Sequence, residues 1–495
     1  MIRAVSGFDA TFSAPKSLSV LWALTQDPRL LDAHDTAVNA TLRYLERYGS
    51  TTRIRVDGRR LHPDSLGLTI ATFRQMTSRA DDPQIHTHAV ISAKVQTSDG
   101  RWLALDARFL KRHQRTLGGL YQSVLRNELT HHFGFAWTEL TNAQGEVVGV
   151  PEELLTVYSK RTGVIDAALT AKLDEFRSRQ GREPTRWERA ALTREASADT
   201  RSAKSGHGAP DLRSRWVDEA ARLGWAPTSV VAAVETAGLE RSAEPVPTLT
   251  ASGVIDALST SGSTWTRADI LRAICDAQRP VPQLDGQRWA VALERLCDQV
   301  IAHCVQLDPE DAAARRRSCD GRSMWLEPTA PHLTSETVLA EEERVLTWAI
   351  DAHTADPAPS TTVEVGDLDV LQANAAAAVA GNDRLVLIVG PAGTGKTSTL
   401  RSAVAEPRRA AARCVRCRPV RESRTRAPAR RRSARRHRCQ APKRMGTRRP
   451  ATAARLPVAG RYDGDRRRKR NDRHQCARPP RRPRRPAPLA ARLRG

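Results

Sequence analysis

Residues 85–91 read IHTHAVI, and their polar and apolar side chains alternate as in a strand. His86 and His88 are therefore expected on one face, with Ile85, Thr87, Ala89 and Ile91 on the other. Two imidazoles so placed suit a shared divalent metal ion. A second segment, residues 7–17 (GFDATFSAPKS), adds a carboxylate at Asp9 and an ammonium at Lys16. A metal, a carboxylate and a lysine together equip a protein for work on phosphate esters. Taken alone, a His-x-His pair is equally compatible with ordinary surface or core histidines, and Asp9 with a turn or cap before a strand.

Another chemical signature lies at residues 390–397 (GPAGTGKT), a full match to the phosphate-binding loop pattern. The preceding run, residues 384–389 (RLVLIV), is apolar and β-branched, which suits a buried parallel strand. Gly390, Gly393 and Gly395 let the backbone N–H groups around Thr394 turn toward phosphate oxygens. Lys396 is expected to reach the β- and γ-phosphates of ATP, and the Thr397 hydroxyl to ligate Mg²⁺.

The fuller wording of the first two segments carries a resemblance. Residues 7–17 and 73–88 (FRQMTSRADDPQIHTH) resemble TrwC-type (MobF class) conjugative relaxases, and the similarity continues through residues 99–102, 121–129 and 159–216. The resemblance implies an enzyme that nicks one strand of plasmid DNA at a transfer origin. In such enzymes a tyrosine attacks the scissile phosphate and three histidines hold a divalent metal, here Mg²⁺, Mn²⁺ or Zn²⁺. His86 and His88 match two of those ligands. The third position reads Gln75, whose amide oxygen is a poorer transition-metal ligand than imidazole. Asp9 matches the acid that orients a ligand or accepts a proton from the tyrosine. Thr11, Ser13, Lys16, Arg74 and Arg79 are the DNA-contacting candidates. The implied partners are single-stranded plasmid DNA at the transfer origin and the coupling proteins of conjugation. Residues 371–374 (LQAN) in turn resemble the segment of superfamily 1 helicases whose glutamine, here Gln372, contacts adenine. TrwC-type proteins carry such a helicase after the relaxase.

The nucleophile does not follow from the same resemblance. The family's catalytic tyrosines stand upstream of the segment matched by residues 7–9, and six residues precede Gly7. Tyr44 and Tyr48 lie four apart on a helix expected over residues 27–48. Its apolar stripe is Leu30, Leu31, Val38, Leu42 and Leu45, so both tyrosines read as packing residues. The sequence is thus read as a relaxase–helicase truncated at its N-terminus, and as written it is expected not to nick DNA. Two alternatives stand beside this one: a non-catalytic DNA-binding remnant, and an ATP-binding P-loop protein with a partial helicase domain.

The elements that must hold these groups indicate an α/β class. A two-layer relaxase-type α/β domain is expected over residues 1–150, with strands at 10–12, 66–72 and 87–95. Pro15 is read in the first turn of a helix that buries Leu18, Val20, Leu21 and Leu24, and Leu117, Leu120, Leu125 and Leu129 mark a packing helix over 111–132. A charged helical region follows at 151–241, then a linker at 242–247 and a small helical domain at 249–345, capped at Thr266 with Asp269 three residues on. Residues 360–405 begin a P-loop helicase domain. No run of about 18 apolar residues and no signal core is present, so no membrane span is expected and a cytoplasmic location is inferred. Cys275, Cys297, Cys304 and Cys319 lack paired spacing and read as reduced thiols.

Residues 406–495 break the pattern, with 33 Lys and Arg against 5 acidic residues and no Ile, Phe or Trp. Such a segment cannot bury enough apolar surface to offset its ordering entropy. It is either a disordered polybasic arm that binds nucleic acid through counterion release or an out-of-frame translation of GC-rich DNA. Cys414, Cys417, His437, Cys439, His474 and Cys476 lie in it without the apolar residues that a zinc knuckle needs.

Overall fold

In the computed structural model, residues 5–201, 208–242, 249–309, 314–354, 368–381, 384–391 and 393–409 are described. The basic segment beyond residue 409, with its cysteines and histidines, and most of the expected linker lie outside them. Residues up to 348 belong to one compact unit, and the described residues from 349 onward to another.

The first unit is mixed α/β. It opens with β1 (Gly7–Ser13), α1 (Lys16–Thr25) and α2 (Pro28–Gly49). Pro15 is the N-cap of α1 rather than a residue of its first turn, and Leu18, Val20, Leu21 and Leu24 are buried as expected. Asp27 caps α2 by accepting the Arg29 backbone N–H, with Pro28 in the first helical position. Each leucine fully buried in this way contributes about 1.5–3 kcal/mol.

Two short hairpin strands, β2 (Ile54–Val56) and β3 (Arg59–Leu61), precede β4 (Ile70–Thr77) and β5 (Pro83–Ser92). The strand expected at 66–72 is displaced. Gly67 takes φ +134°, and the Leu68 N–H donates to the Glu46 carboxylate, so the chain turns there and the ladder begins at Ile70. The strand expected at 87–95 starts earlier, at Pro83, and stops at Ser92. Beyond it β6 (Lys94–Gln96) pairs with β7 (Trp102–Ala104). The main sheet runs β1-β5-β4, antiparallel throughout.

The helix expected over 111–132 is two helices, α3 (Arg108–Arg112) and α4 (Gln114–Phe133), because His113 leaves the helical region at φ −106°, ψ 20°. α1, α2 and α4 cover the inner face of the sheet, where Phe12, Ile85, Ala89 and Ile91 meet Tyr121 and Leu125 in one core.

The charged helical region consists of α5 (Glu152–Val157), α6 (Lys160–Gln180), α7 (Arg186–Asp199), α8 (Ala209–Arg222) and α9 (Pro227–Ser242). Several of these clamp the β4–β5 turn. Lys160 pairs with buried Asp82 at 3.5 Å, the Arg161 backbone N–H donates to the same carboxylate, and Trp216 Nε1 donates to the Asp81 carbonyl. α10 (Ala251–Ser259), α11 (Arg267–Ala277) and α12 (Gly286–Ala302) follow, with Thr266 and Asp269 forming the expected capping box. α11 and α12 pack on α4, and α12 on α2 as well. The strands β8 (Val305–Gln306) and β9 (Leu333–Thr334) pair ahead of α13 (Glu336–Thr354).

The second unit holds α14 (Val370–Ala380) and α15 (Lys396–Arg409). Residues 384–389 do not form the expected buried strand: Leu387 is 80 % and Val389 97 % exposed. A parallel strand needs neighbours on both edges and cover on both faces, and the described residues of this unit supply no partner strand.

Candidate functional site on the exposed sheet face

The register of the three strands places the expected residues in rungs. Ser13, His86 and Gln75 lie side by side, as do Thr11, His88 and Phe73 on the next rung of that face. Pleating sends these six side chains outward while Phe12, Thr87 and Arg74, on the rung between, take the other face. Phe73 is 56 % exposed and Val90, two residues beyond His88, 41 %. The face therefore combines imidazoles, an amide and hydroxyls with uncovered apolar surface.

The two histidine rings lie 5.2 Å apart at 74°. His86 Nδ1 is 2.9 Å from the Gln84 carbonyl oxygen. A carbonyl only accepts, so Nδ1 carries the proton and Nε2 the lone pair. His88 Nδ1 lies 2.9 Å and 3.1 Å from the two carboxylate oxygens of Asp9, which fixes the same tautomer, with the Thr11 hydroxyl 3.2 Å away. Metal-binding histidines are commonly oriented in this manner, by a carbonyl or carboxylate on the nitrogen opposite the metal. By chemistry, two imidazoles and an amide on adjacent rungs are donor types that a divalent ion accepts. Among the described residues no three His, Cys, Asp or Glu side chains converge, so Gln75 is the weak member of any such set.

The other candidates disperse. Lys16 does not face the histidines. Its Nζ donates to the carbonyls of Pro83 (3.0 Å) and Tyr158 (2.9 Å), tying the start of β5 to the end of α5. Burial pushes its pKa down, opposed by Asp82 and Glu146. Arg74 reaches Asp35 of α2 at 2.5 Å, on the far side of the sheet from His86. Arg79 lines a cleft of about 370 Å³ with Arg161, Arg194 and Arg201. Arg161 is fixed there by the carbonyls of Ser197 and Thr200.

None of the four described tyrosines stands on the histidine face. Tyr44 is buried in the core, Tyr48 donates to Glu294 and Tyr158 to the Trp216 carbonyl. Tyr121 is hydrogen-bonded to His34. Burial raises the pKa of every one, Tyr48 to about 12.

Sequence reasoning missed Glu146, whose carboxylate accepts the backbone N–H groups of Lys16 and Ser17 and the Ser17 hydroxyl, closing the α1 N-terminus that Pro15 leaves without a side-chain cap. It also missed His34 and Thr87, which lie on the buried side of β5. The polar threonine between two apolar positions of residues 85–91 was the available signal.

In the second unit α15 opens at Lys396 directly after the glycine loop, with Gly393 at φ +84° and Gly395 at φ +70°. Lys396 Nζ donates to the Gly390 and Pro391 carbonyls, both at 2.6 Å. Gln372 spends both ends of its amide: Oε1 accepts from the Asp369 N–H, and Nε2 donates to the Thr394 carbonyl at 3.2 Å. Thr397 is exposed in the first turn of α15.

Fold and site together describe an α/β protein with a His-x-His strand at the centre of an exposed sheet face. The family model described as TrwC relaxase matches residues 3–223. The multifunctional conjugation protein TraI of Escherichia coli (strain K12) is 31 % identical over 222 residues, which is 44 % of this chain and 12 % of that protein. A second Escherichia coli TraI is 36 % identical over 174 residues, covering 33 % of this chain and 10 % of its own length. The chain thus spans about a tenth of the curated relatives it matches. A solved copper-bound structure of the conjugative relaxase TrwC with oriT DNA is 30 % identical, covering 45 % of this chain and 72 % of that one, with a TM-score of 0.39. A metal-free TrwC–oriT structure gives 30 %, 44 %, 73 % and 0.38 in the same terms. Residues 3–223 thus form a domain of the TrwC relaxase family.

Proposed function

We propose that residues 5–223 form the strand-holding and metal-holding part of a conjugative relaxase that acts on single-stranded DNA at a transfer origin. The observation that carries this reading is the pair His86 and His88 side by side on the exposed face of β5, each ring oriented through Nδ1, by the Gln84 carbonyl and by the Asp9 carboxylate. With Gln75 they would hold a divalent ion, which when bound polarises a phosphate oxygen. Asp9 holds the proton on His88 Nδ1 and keeps that ring in place. Phe73 and Val90 offer an apolar surface against which a base can stack. The guanidinium cleft of Arg79, Arg161, Arg194 and Arg201 offers positive charge to the DNA backbone. Asp82, which anchors Arg161, stands four residues before His86, roughly 13 Å along an extended strand.

The described residues provide this positioning and no nucleophile. The experiment is twofold. Fluorescence anisotropy with a transfer-origin oligonucleotide should show binding, and Mn²⁺ titration should show one site that is lost in the His86→Ala/His88→Ala double variant. Absence of both removes the reading. Incubation with supercoiled origin plasmid should give no covalent 5′-linked product through Tyr44, Tyr48, Tyr121 or Tyr158. A product lost specifically in one of their phenylalanine variants refutes that part. Coupling proteins of conjugation are the protein partners this reading entails.

A second reading, Mg²⁺-ATP binding as the opening of a helicase domain, is favoured by one observation: two glycines with positive φ lead into the N-terminus of α15 at Lys396. Gly390, Gly393, Thr394, Gly395, Lys396, Thr397 and Gln372 are its residues. ATP retention lost in Lys396→Ala supports it, and equal behaviour of the two proteins removes it.

A further inference from the structure

Behind the histidine strand lies a buried hydrogen-bond chain that the reading above does not use. Thr87, between the two histidines, points to the inner face and is 3 % exposed. Its hydroxyl lies 2.7 Å from His34 Nε2, and His34 Nδ1 lies 2.8 Å from the Tyr121 hydroxyl. The chain therefore links β5 to α2 and onward to α4. His34 is fully buried, with its ring edge-on to Tyr121 at 5.6 Å.

We propose that His34 is a positioning residue for the His86/His88 pair, holding β5 from behind through the Thr87 hydroxyl. The inference rests on the metal-holding reading of that pair. A neutral imidazole has one N–H and one lone pair, so one hydroxyl donates to it while the other accepts. Both nitrogens are then satisfied, and the strand position of Thr87 is fixed relative to two helices. Because strand geometry couples neighbours, a shift of Thr87 toward or away from α2 moves both ligand side chains together. Burial, with Arg74 and His86 nearby, pushes the His34 pKa down to about 3, so His34 itself adds no positive charge behind the strand. Arg74, beside Thr87 on β4, is itself held by Asp35, the residue after His34.

The test uses the full chain and two readouts. In metal-free protein labelled with ¹⁵N-histidine, Thr87→Val should move the ring signals of His86 and His88, and Thr87→Ser should restore them. In Mn²⁺ titrations Thr87→Val should weaken binding by about tenfold, in the range seen when groups that orient metal ligands are removed, with Thr87→Ser within twofold of the parent. Ile270→Val, in the distant α11, serves as the control that lowers stability without moving the rings. Unmoved ring signals in Thr87→Val overturn the proposal even when its melting temperature falls. Moved ring signals with no Mn²⁺ binding by the parent chain uphold the positioning and refute the metal reading instead. If Thr87→Val does not fold, Thr87→Ala replaces it: it removes the same hydroxyl, and unmoved rings there are equally decisive against the proposal.

Discussion

Gln75 stands in register with His86 across the β4–β5 ladder, with Ser13 on the opposite flank of the same rung. On the proposed reading, this amide stands where a third imidazole ligand would be expected. Gln75→His should tighten Mn²⁺ or Zn²⁺ binding by about tenfold or more, the scale of a regained coordinating group. Calorimetric titration decides it, and an unchanged affinity means that Gln75 is not at the metal.

Asp9 holds His88 by a carboxylate rather than by packing, since both side chains are partly open to solvent. Asp9→Asn keeps the shape but lets the amide present its NH₂ group to Nδ1, releasing the tautomer. Metal affinity should fall about 10-fold or more, with the melting temperature nearly unchanged. Equal loss in both would mark Asp9 as structural.

Lys16 tests the difference between a motif and a site. Its ammonium serves two backbone carbonyls, so Lys16→Met should destabilise the protein by about 1–3 kcal/mol while leaving oligonucleotide affinity of the folded protein within a factor of two. Denaturant unfolding and anisotropy give the two numbers. A large affinity loss at unchanged stability would return Lys16 to the DNA interface.

The arginine cleft should act through charge. For Arg194→Ala/Arg201→Ala, the slope of log affinity against log salt should become shallower by about 0.7 for each phosphate contact removed, with all sequences weakened alike. An unchanged slope places the cleft off the DNA path.

His34 has a stability signature of its own. Its folded-state pKa, about 3, lies below the ordinary histidine value of 6.5, so the folded protein binds this proton less readily than the unfolded chain. The associated stability is present in full above about pH 6.5 and is lost as pH falls toward 3, at up to about 1.4 kcal/mol per pH unit. Urea unfolding at pH 7 and pH 5 should show a larger drop for the parent than for His34→Gln. Equal drops would show that His34 does not contribute.

How much of this was legible in the sequence depends on range. The alternation of residues 85–91 gave the histidine face because pleating is a local rule, and Thr266 announced its helix for the same reason. β4 was misplaced because its start is decided by a distant group, the Glu46 carboxylate, which takes the Leu68 N–H. The break at His113 gave no composition signal. Lys16 and Arg74 were assigned to DNA by resemblance, but their side-chain directions depend on Tyr158 and Asp35, far along the chain. Residues 384–389 show the converse: β-branched composition describes a strand only where neighbours exist to pair with it.

Among the described residues β4 is an edge strand, joined to β5 on one side, and its register slips just after Gln75. The His86 and His88 backbone is clamped from both flanks, whereas the Gln75 backbone is clamped from one. Edge strands fray more readily than central ones, so the three positions differ in how long they stay assembled. A fluctuation of β4 would therefore displace the Gln75 side of this face first, while His86 and His88 stay paired with β1.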